Sequence, residues 1–517
     1  MTFEIVFVLL SLLGMMAALI ADKMRPGMVL FSVVVLFLCV GILTPKEMLE
    51  GFSNKGMITV ALLFLVSEGI RQSGTLGQVI KKLLPQGKTT VFKAQLRILP
   101  SVAFISAFLN NTPVVVIFAP IIKHWAKSVK LPATKFLIPL SYVTILGGIC
   151  TLIGTSTNLV VHGMILEAGY EGFTMFELGK VGIFIAIAGI IYLFIFSKRL
   201  LPDARPDTAV PDEEVEEGEK LHRVEAVLGA RFPGINKKLS DFNFQRHYGA
   251  EVKEIKTRNG QRYVDHLEDV VLREGDTLVV MADDTFIPTW GESSVFVLLT
   301  NGNDPDTSGK KKRWLALILL VLMIVGATVG ELPATKEMFP DIKLDMFFFV
   351  CITTIIMAWT NIFPARKYTK YISWDILITI ACAFAISKAM VNSGVADCVA
   401  GFIIGLSDDY GPHVLLAILF VITNLFTELI TNNAAAALAF PLALSISAQL
   451  GVSPTPFFVV ICMAASASFS TPIGYQTNLI VQGIGNYKFT DFVRIGLPIN
   501  IITFLISIIL IPLIWNF

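Results

Sequence analysis

Apolar runs long enough to cross a bilayer, about 20 residues or somewhat fewer, recur from one end of this chain to the other. They fall at about 5–20, 28–44, 57–70, 97–122, 137–165 and 180–197, and again at 313–330, 344–360, 374–391, 412–430, 434–450, 454–470 and 495–514. Such runs read as helical spans, because hydrocarbon offers the backbone no partners and a helix satisfies it internally. The composition agrees: 54% of residues are hydrophobic and 16% charged, with a mean hydropathy of +0.70. An ordinary soluble protein carries about 25% charged residues. A water-soluble enzyme and a disordered scaffold are both excluded. A net charge of +1 gives no case for nucleic acid as a partner. The first run has no basic stretch before it and no small-residue cleavage site after it, so it reads as a retained span and not a signal peptide. Cys39, Cys150, Cys351, Cys382, Cys398 and Cys462 all fall in apolar stretches without a CxxC pair, which predicts buried packing thiols, not disulfides or a zinc site.

One interval breaks the pattern. From about 200 to 312 the chain turns polar, beginning with an acidic, proline-containing linker over 203–220. The apolar parts on either side resemble each other. Leu109-Asn-Asn-Thr-Pro matches Ile430-Thr-Asn-Asn-Ala in pattern, Thr151-Leu-Ile-Gly-Thr-Ser-Thr-Asn158 matches Thr471-Pro-Ile-Gly-Tyr-Gln-Thr-Asn478, and Ser73-Gly74 matches Ser393-Gly394. All three recur about 320 residues apart, which marks an internal duplication. Three segments follow: a first membrane repeat over 1–200, an insert over 201–312, and a second membrane repeat over 313–517.

Charge sets the expected topology, since Lys and Arg collect in cytoplasmic loops. Lys81, Lys82, Lys88 and Lys93 precede the run at 97–122, and Lys123, Lys127, Lys130 and Lys135 follow it. That run should therefore enter and leave on the cytoplasmic side as a re-entrant hairpin. Its counterpart over 412–450 is flanked by Asp408 and Asp409 and should dip in from outside. Carried through, the count gives about ten spans in a bacterial plasma membrane, a cytoplasmic insert, both termini outside, and two halves inverted with respect to each other.

Four polar breaks interrupt the apolar segments, at 110–112, 151–158, 431–433 and 471–478. Non-helical backbone survives at membrane depth only where protein buries it or a wet cavity receives it. Half-helices starting at such breaks aim N–H groups and a positive dipole end into the cavity, and unwound carbonyls with Asn or Thr oxygens suit a small cation. Paired breaks in inverted halves point to a secondary-transporter site near the midplane. Fixed positive charge is nearly absent there, since Arg97 and Lys123 lie at hairpin bases. An anion held by neutral donors needs cations bound with it, which predicts cation-coupled symport. Glu428 is the clearest ionisable group inside an apolar run, as a cation ligand, a proton carrier, or a structural group at the hairpin mouth. Glu68 and His162 read as structural, His162 as a satisfied packing residue.

The tips Asn110-Asn111-Thr112 and Thr431-Asn432-Asn433, with Ile153-Gly154-Thr155 and Ile473-Gly474-Tyr475-Gln476-Thr477-Asn478, resemble the divalent anion:sodium symporter family, the sodium-coupled sulfate and dicarboxylate carriers. The resemblance implies a dimeric elevator carrier with two opposed hairpins in the moving body and Na+ as coupling ion (H+ in some carriers), without an organic cofactor. It implies one sodium site from Ser106, Asn110, Asn111 and Gly154, and another from Thr427, the Ile430 carbonyl, Asn432 and Gly474. Substrate would meet Asn111, Thr112, Thr155, Asn432, Asn433 and Tyr475, with Asn158, Thr477 and Asn478 in support. The carboxylate carriers of that family have Ser-Asn-Thr at both tips, and their second breaks carry a Thr-Pro-Pro-like element that this chain lacks. The Thr-Pro-Ile-Gly-Tyr-Gln-Thr-Asn-Leu form is similar to the sulfate branch, and Tyr475 would fill space a longer carboxylate needs. Sulfate is therefore favoured, with a di- or tricarboxylate as runner-up.

Within the insert, Arg223–Leu228, Ala250–Ile255 and Thr277–Met281 alternate as strands, and a turn-rich segment from Phe232 opens a short helix. The module resembles the TrkA-C domain of potassium-conductance regulators, which implies dimerisation and a small-molecule ligand. That likeness raises a second class of function, a ligand-gated cation channel subunit, but no Thr-Val-Gly-Tyr-Gly filter occurs. A membrane-embedded enzyme lacks its motifs here, since neither His-Glu-x-x-His nor Gly-x-Ser-x-Gly is present.

Overall fold

The computed structural model describes residues 2–517 apart from 22, 86, 204–221, 230–231, 258–260, 284–285, 287–289, 291–294, 301–309, 340 and 406–410. The linker from 204 onward and the Asp408-Asp409 pair lie outside the described residues. Helices of nine residues or more come in two matching series. The first is α1 (Phe3–Ala21), α2 (Pro26–Val40), α3 (Lys55–Gln72), α4 (Thr75–Leu83), α5 (Val91–Ser106), α6 (Asn111–Ser128), α7 (Leu137–Gly148), α8 (Ser156–Glu167) and α9 (Gly179–Leu200). The second is α10 (Lys310–Gly330), α11 (Met346–Trp359), α12 (Trp374–Asn392), α13 (Val395–Gly405), α14 (Gly411–Leu429), α15 (Asn432–Leu450), α16 (Thr455–Ser466), α17 (Gln476–Gly485) and α18 (Phe489–Ile514). Each helix of the first series has its counterpart nine places on. Among the described residues, eight helical stretches are long and apolar enough to cross a bilayer, and the chain is an integral membrane protein.

The packing repeats as well. α5 lies on α7 as α14 lies on α16; α4 lies on α6 as α13 lies on α15. Other contacts cross between the halves. α2 packs on α12 and α11 on α3, α6 packs on α17 and α15 on α8, and α9 and α18 pack on each other. Lys55, at the start of α3, pairs with Asp345, which caps α11 by accepting the Phe348 N–H (3.2 Å). Prolines sit inside α5, α6, α15 and α18, which spans tolerate because neighbours re-satisfy the freed carbonyls.

Three expectations need correction. The helices restart at Ser156 and Gln476, so the non-helical stretches are 149–155 and 467–475, and Asn158, Thr477 and Asn478 belong to first helical turns. A helix N-terminus tolerates polar side chains because its first N–H groups lack intrahelical partners, so polarity alone did not mark the unwound part. Of the six cysteines only Cys382 and Cys462 are buried; Cys39 is exposed and the other three are intermediate. Apolar surface is stable against lipid, so an apolar stretch need not be interior. The His162 ring packs by Gly172, but its buried Nδ1 has no hydrogen-bond partner.

The insert forms a five-stranded antiparallel sheet in the order β3-β2-β4-β1-β5: β1 (His222–Leu228), β2 (Glu251–Lys256), β3 (Arg262–Tyr263), β4 (Thr277–Ala282) and β5 (Phe296–Thr300). β3 and β5 were not expected. Val224, Ala226 and Leu228 alternate inward with Leu278, Val280 and Ala282, closing on Phe232, Phe244 and Tyr248. The short helix runs over Phe244–Tyr248 and ends at Gly249, whose φ of +69° supplies the left-handed cap.

Candidate functional site

The two helix pairs turn where the sequence turns polar. α5 ends at Ser106 and α6 begins at Asn111; α14 ends at Leu429 and α15 begins at Asn432. Beside them lie the unwound stretches 149–155 and 467–475. The same bonds recur in both places. Ser106 Oγ is 2.8 Å from Asn111 Oδ1 and 2.9 Å from the Thr144 carbonyl; Thr427 Oγ1 is 3.2 Å from Asn432 Oδ1 and 2.6 Å from the Ala465 carbonyl. A hydroxyl carries one proton. Each cluster therefore brings together more oxygen lone pairs than protons, an arrangement that a small hard cation completes.

The unwound stretches are tied alike. Thr151 Oγ1 donates to the Ala107 carbonyl and receives the Gly154 N–H (3.2 Å), while Asn158 Nδ2 donates to the Thr151 carbonyl (2.9 Å). Thr471 Oγ1 donates to the Glu428 carbonyl (3.0 Å) and receives the Gly474 N–H (3.4 Å), while Asn478 Nδ2 donates to the Thr471 carbonyl (3.1 Å). Glycine is required at the centre of each. A methyl on Gly154 would meet the Gly148 and Ala107 carbonyls, and one on Gly474 would collide with Ser468 Oγ and the Thr427 carbonyl.

The halves then meet at Tyr475. Its hydroxyl receives the Asn111 Nδ2–H (2.6 Å) and lies 3.1 Å from Thr155 Oγ1, with the Asn432 side chain nearby. Thr112 Oγ1 reaches Gln476 Oε1 (3.3 Å), and Asn433 Oδ1 accepts from Ser156 (3.3 Å) and Thr157 (3.4 Å). Ser141 Oγ links to Thr477 Oγ1 (2.9 Å) and Asn478 Oδ1 (2.7 Å). Residues drawn from the separate breaks are thus tied across the halves by neighbouring hydrogen bonds, buried at Tyr475 and exposed at Thr112–Gln476.

Two other expected ligands lie in the turns just before α6 and α15. The Asn110 side chain lines a recess with Val60, Ser67, Phe108 and Ser156. Ile430 sits in the short turn after α14, its N–H on the Phe426 carbonyl (2.8 Å). Glu428 is 8% exposed, and its Oε1 accepts the Ser470 N–H (2.9 Å) and Asn500 Nδ2–H (2.7 Å), while Oε2 faces Ser468 Oγ (3.4 Å). Its carboxylate therefore stands one hydroxyl away from Gly474. Glu68 pairs with Arg71 at 2.6 Å. Arg97 donates to the Lys82 carbonyl (2.9 Å) and Lys123 pairs with Glu225 at 2.8 Å, so neither cation reaches the cluster. Sequence reasoning missed Ser141, Ser468, Asn500 and the carbonyls of Ala107 and Gly148. The Thr-x-x-Gly with Asn seven residues after the Thr, present in both breaks, was the available signal.

The sequence profile of the citrate transporter family matches residues 16–451 and, a second time, 338–516. An uncharacterized transporter of Synechocystis sp. is 29% identical over 94% of this chain and 93% of its own length. A sodium/sulfate cotransporter of Chlamydomonas reinhardtii is 30% identical over 54% of this chain and 31% of its own. A sodium-dependent dicarboxylate transporter of Staphylococcus saprophyticus is 24% identical over 28% of each.

Proposed function

The chain belongs to the citrate transporter family, and from that premise we propose that it is a sodium-coupled carrier of a small divalent anion, sulfate ahead of a di- or tricarboxylate. The supporting observation is the pair of proton-poor oxygen clusters, at Ser106/Asn111/Gly154 and at Thr427/Asn432/Gly474, on either side of a neutral amide and hydroxyl cluster. In this reading the carbonyls of Ala107 and Gly148 complete the first sodium site, and Ser468 the second. Sodium binds there, offsets the anion's charge, and fixes the turns that carry the Asn111 and Asn432 amides. Sulfate is then held by Asn111, Thr112, Thr155, Asn432, Asn433 and Tyr475, with no lysine or arginine. Neutral donors release a divalent anion once sodium leaves, whereas a buried fixed cation would hold it.

The same reading takes the segments 1–200, 201–312 and 313–517 as two inverted membrane repeats around a cytoplasmic TrkA-C-like module. It makes the two helix pairs α5–α6 and α14–α15 opposed re-entrant hairpins within one moving body of a homodimer. The dicarboxylate reading draws support from the Staphylococcus relative and the family description, and the sulfate reading from the Chlamydomonas cotransporter. Labelled sulfate uptake into proteoliposomes, with and without an inward sodium gradient, decides between them. Sodium-driven sulfate accumulation is expected. Succinate uptake without sulfate uptake would promote the second reading, and sodium-independent potassium flux would defeat both.

A further inference from the structure

The insert's sheet has two faces, and its second face is also buried. Side chains alternate along a strand. On β1, Val224, Ala226 and Leu228 enter the insert's own core, so Glu225 and Val227 point the other way; Val227 joins the hydrophobic core of the membrane body. Both oxygens of Glu225 take Lys123 Nζ of α6 (3.0 and 2.8 Å). On the neighbouring strand β4, Thr277 is paired with Val227 in register. Its Oγ1 lies 2.5 Å from where a Cβ on Gly483 of α17 would stand, and Gly275 lies beside Leu479 of the same helix. On β2, Lys256 Nζ is 3.4 Å from Glu225 Oε1, and Glu254 pairs with Arg262 at 2.6 Å. The side chains of Glu225, Lys256 and Glu254 are only 15%, 4% and 2% exposed. A soluble module ordinarily solvates one face of an antiparallel sheet. Here that face carries a row of desolvated ion pairs and is seated on two membrane helices.

Those two helices are the ones that meet at the site. α6 and α17 pack on each other, and their N-terminal ends are joined by the Asn111–Tyr475 bond. Lys123 lies about 18 Å along α6 from Asn111 and Gly483 about 12 Å along α17 from Tyr475, at 1.5 Å per residue. We infer that the β1–β4 face of the insert is a staple across the far ends of α6 and α17 that holds the Asn111–Tyr475 contact in register, so that anion affinity depends on the Lys123–Glu225 ion pair. Lys123 and Glu225 are positioning residues and do not touch the anion. The inference rests on the anion-carrier reading for its ligand alone.

The test is a double-mutant cycle on the full-length carrier, with K123A, E225A, the double variant and K123R. It is read by sodium-dependent sulfate binding and, separately, by the thermal unfolding midpoint. Each alanine variant should weaken sulfate binding about fivefold, and the double variant no more than about tenfold in place of about 25-fold, because contacting residues are non-additive. K123R should bind sulfate as the wild type does. Unchanged affinity in both single variants, or independent multiplication of their effects, overturns the staple. Should the wild type bind neither sulfate nor a dicarboxylate, the carrier reading fails. The midpoints then decide the staple: losses that do not sum support it, and simple addition overturns it.

Discussion

The two halves hold their breaks with the same bonds but with different side chains. In the first half Thr151 donates to the carbonyl of Ala107; in the second Thr471 donates to the carbonyl of Glu428. Where the first half has Gly148 beside Gly154, the second has Ser468 beside Gly474. Duplication has kept what backbone geometry demands and changed what side chains supply. The result is one wholly neutral oxygen cluster and one with a carboxylate a hydroxyl away, tied also to Asn500 of α18. The two candidate cation sites should therefore share a geometry and differ in charge.

The most severe way to break the symmetry is at its glycines. Gly154→Ala and Gly474→Ala each push a carbonyl out of place, and transport should fall at least about a hundredfold in both, since misplacement by 1 Å costs that much. Uptake assays that spare either variant would remove its cluster from the site. Asn111→Ala and Asn432→Ala come next. Each removes one amide at the shared cluster, and loss of a hydrogen bond to a charged ligand, about 1.5–3 kcal/mol, should cost roughly ten- to a hundredfold in anion affinity with the fold intact. Equal losses, checked by equilibrium binding, would sharpen the symmetry.

Glu428→Gln isolates the difference between the halves, because it keeps the shape and removes the charge. Sodium activation of transport should weaken about tenfold through the loss of a carboxylate near one cluster. An unchanged sodium dependence would show that the two clusters are electrically alike. The smallest effect is expected from pH at the seam between insert and membrane body. Burial alone would raise the Glu225 carboxyl, but Lys123 and Lys256 beside it prevail and hold it at about 2. Its value in an unfolded chain is about 4.3. A lowered folded value gives stability that is full above about pH 4.5 and lost as the pH falls toward 2. Thermal unfolding of the wild type relative to E225A should thus show a constant difference from pH 6 to 8 that shrinks below about pH 4.5.

Much of the site was legible because polarity inside an apolar run is costly and needs a purpose. Asn111, Thr155, Asn432, Asn433 and Tyr475 stood out for that reason, and the structure brings them together. The Ala107 and Gly148 carbonyls left no trace, since every residue has a carbonyl and only the fold says which ones converge. Asn500 sat in an ordinary apolar span, and its meaning depends on Glu428, 72 residues earlier. In the insert the alternation of β1 was legible, but nothing in it said that Glu225 and Val227 would face a membrane helix and not water. Adjacent asparagines look equivalent in sequence, and only the fold shows that Asn110 precedes the first helical residue of α6 while Asn111 begins it.

The exchange of α2 onto α12 and of α3 onto α11 bears on how the chain is made. A ribosome releases the N-terminal half first, and domains synthesised in this way usually fold in that order. Here α2 and α3 leave the translocon without their principal neighbours and wait in lipid until more than 270 further residues have been translated. Closure of α2 and α3 is therefore a late event governed by the C-terminal half, and truncation before α11 leaves both without those partners, although α5 and α7 can already pack on each other.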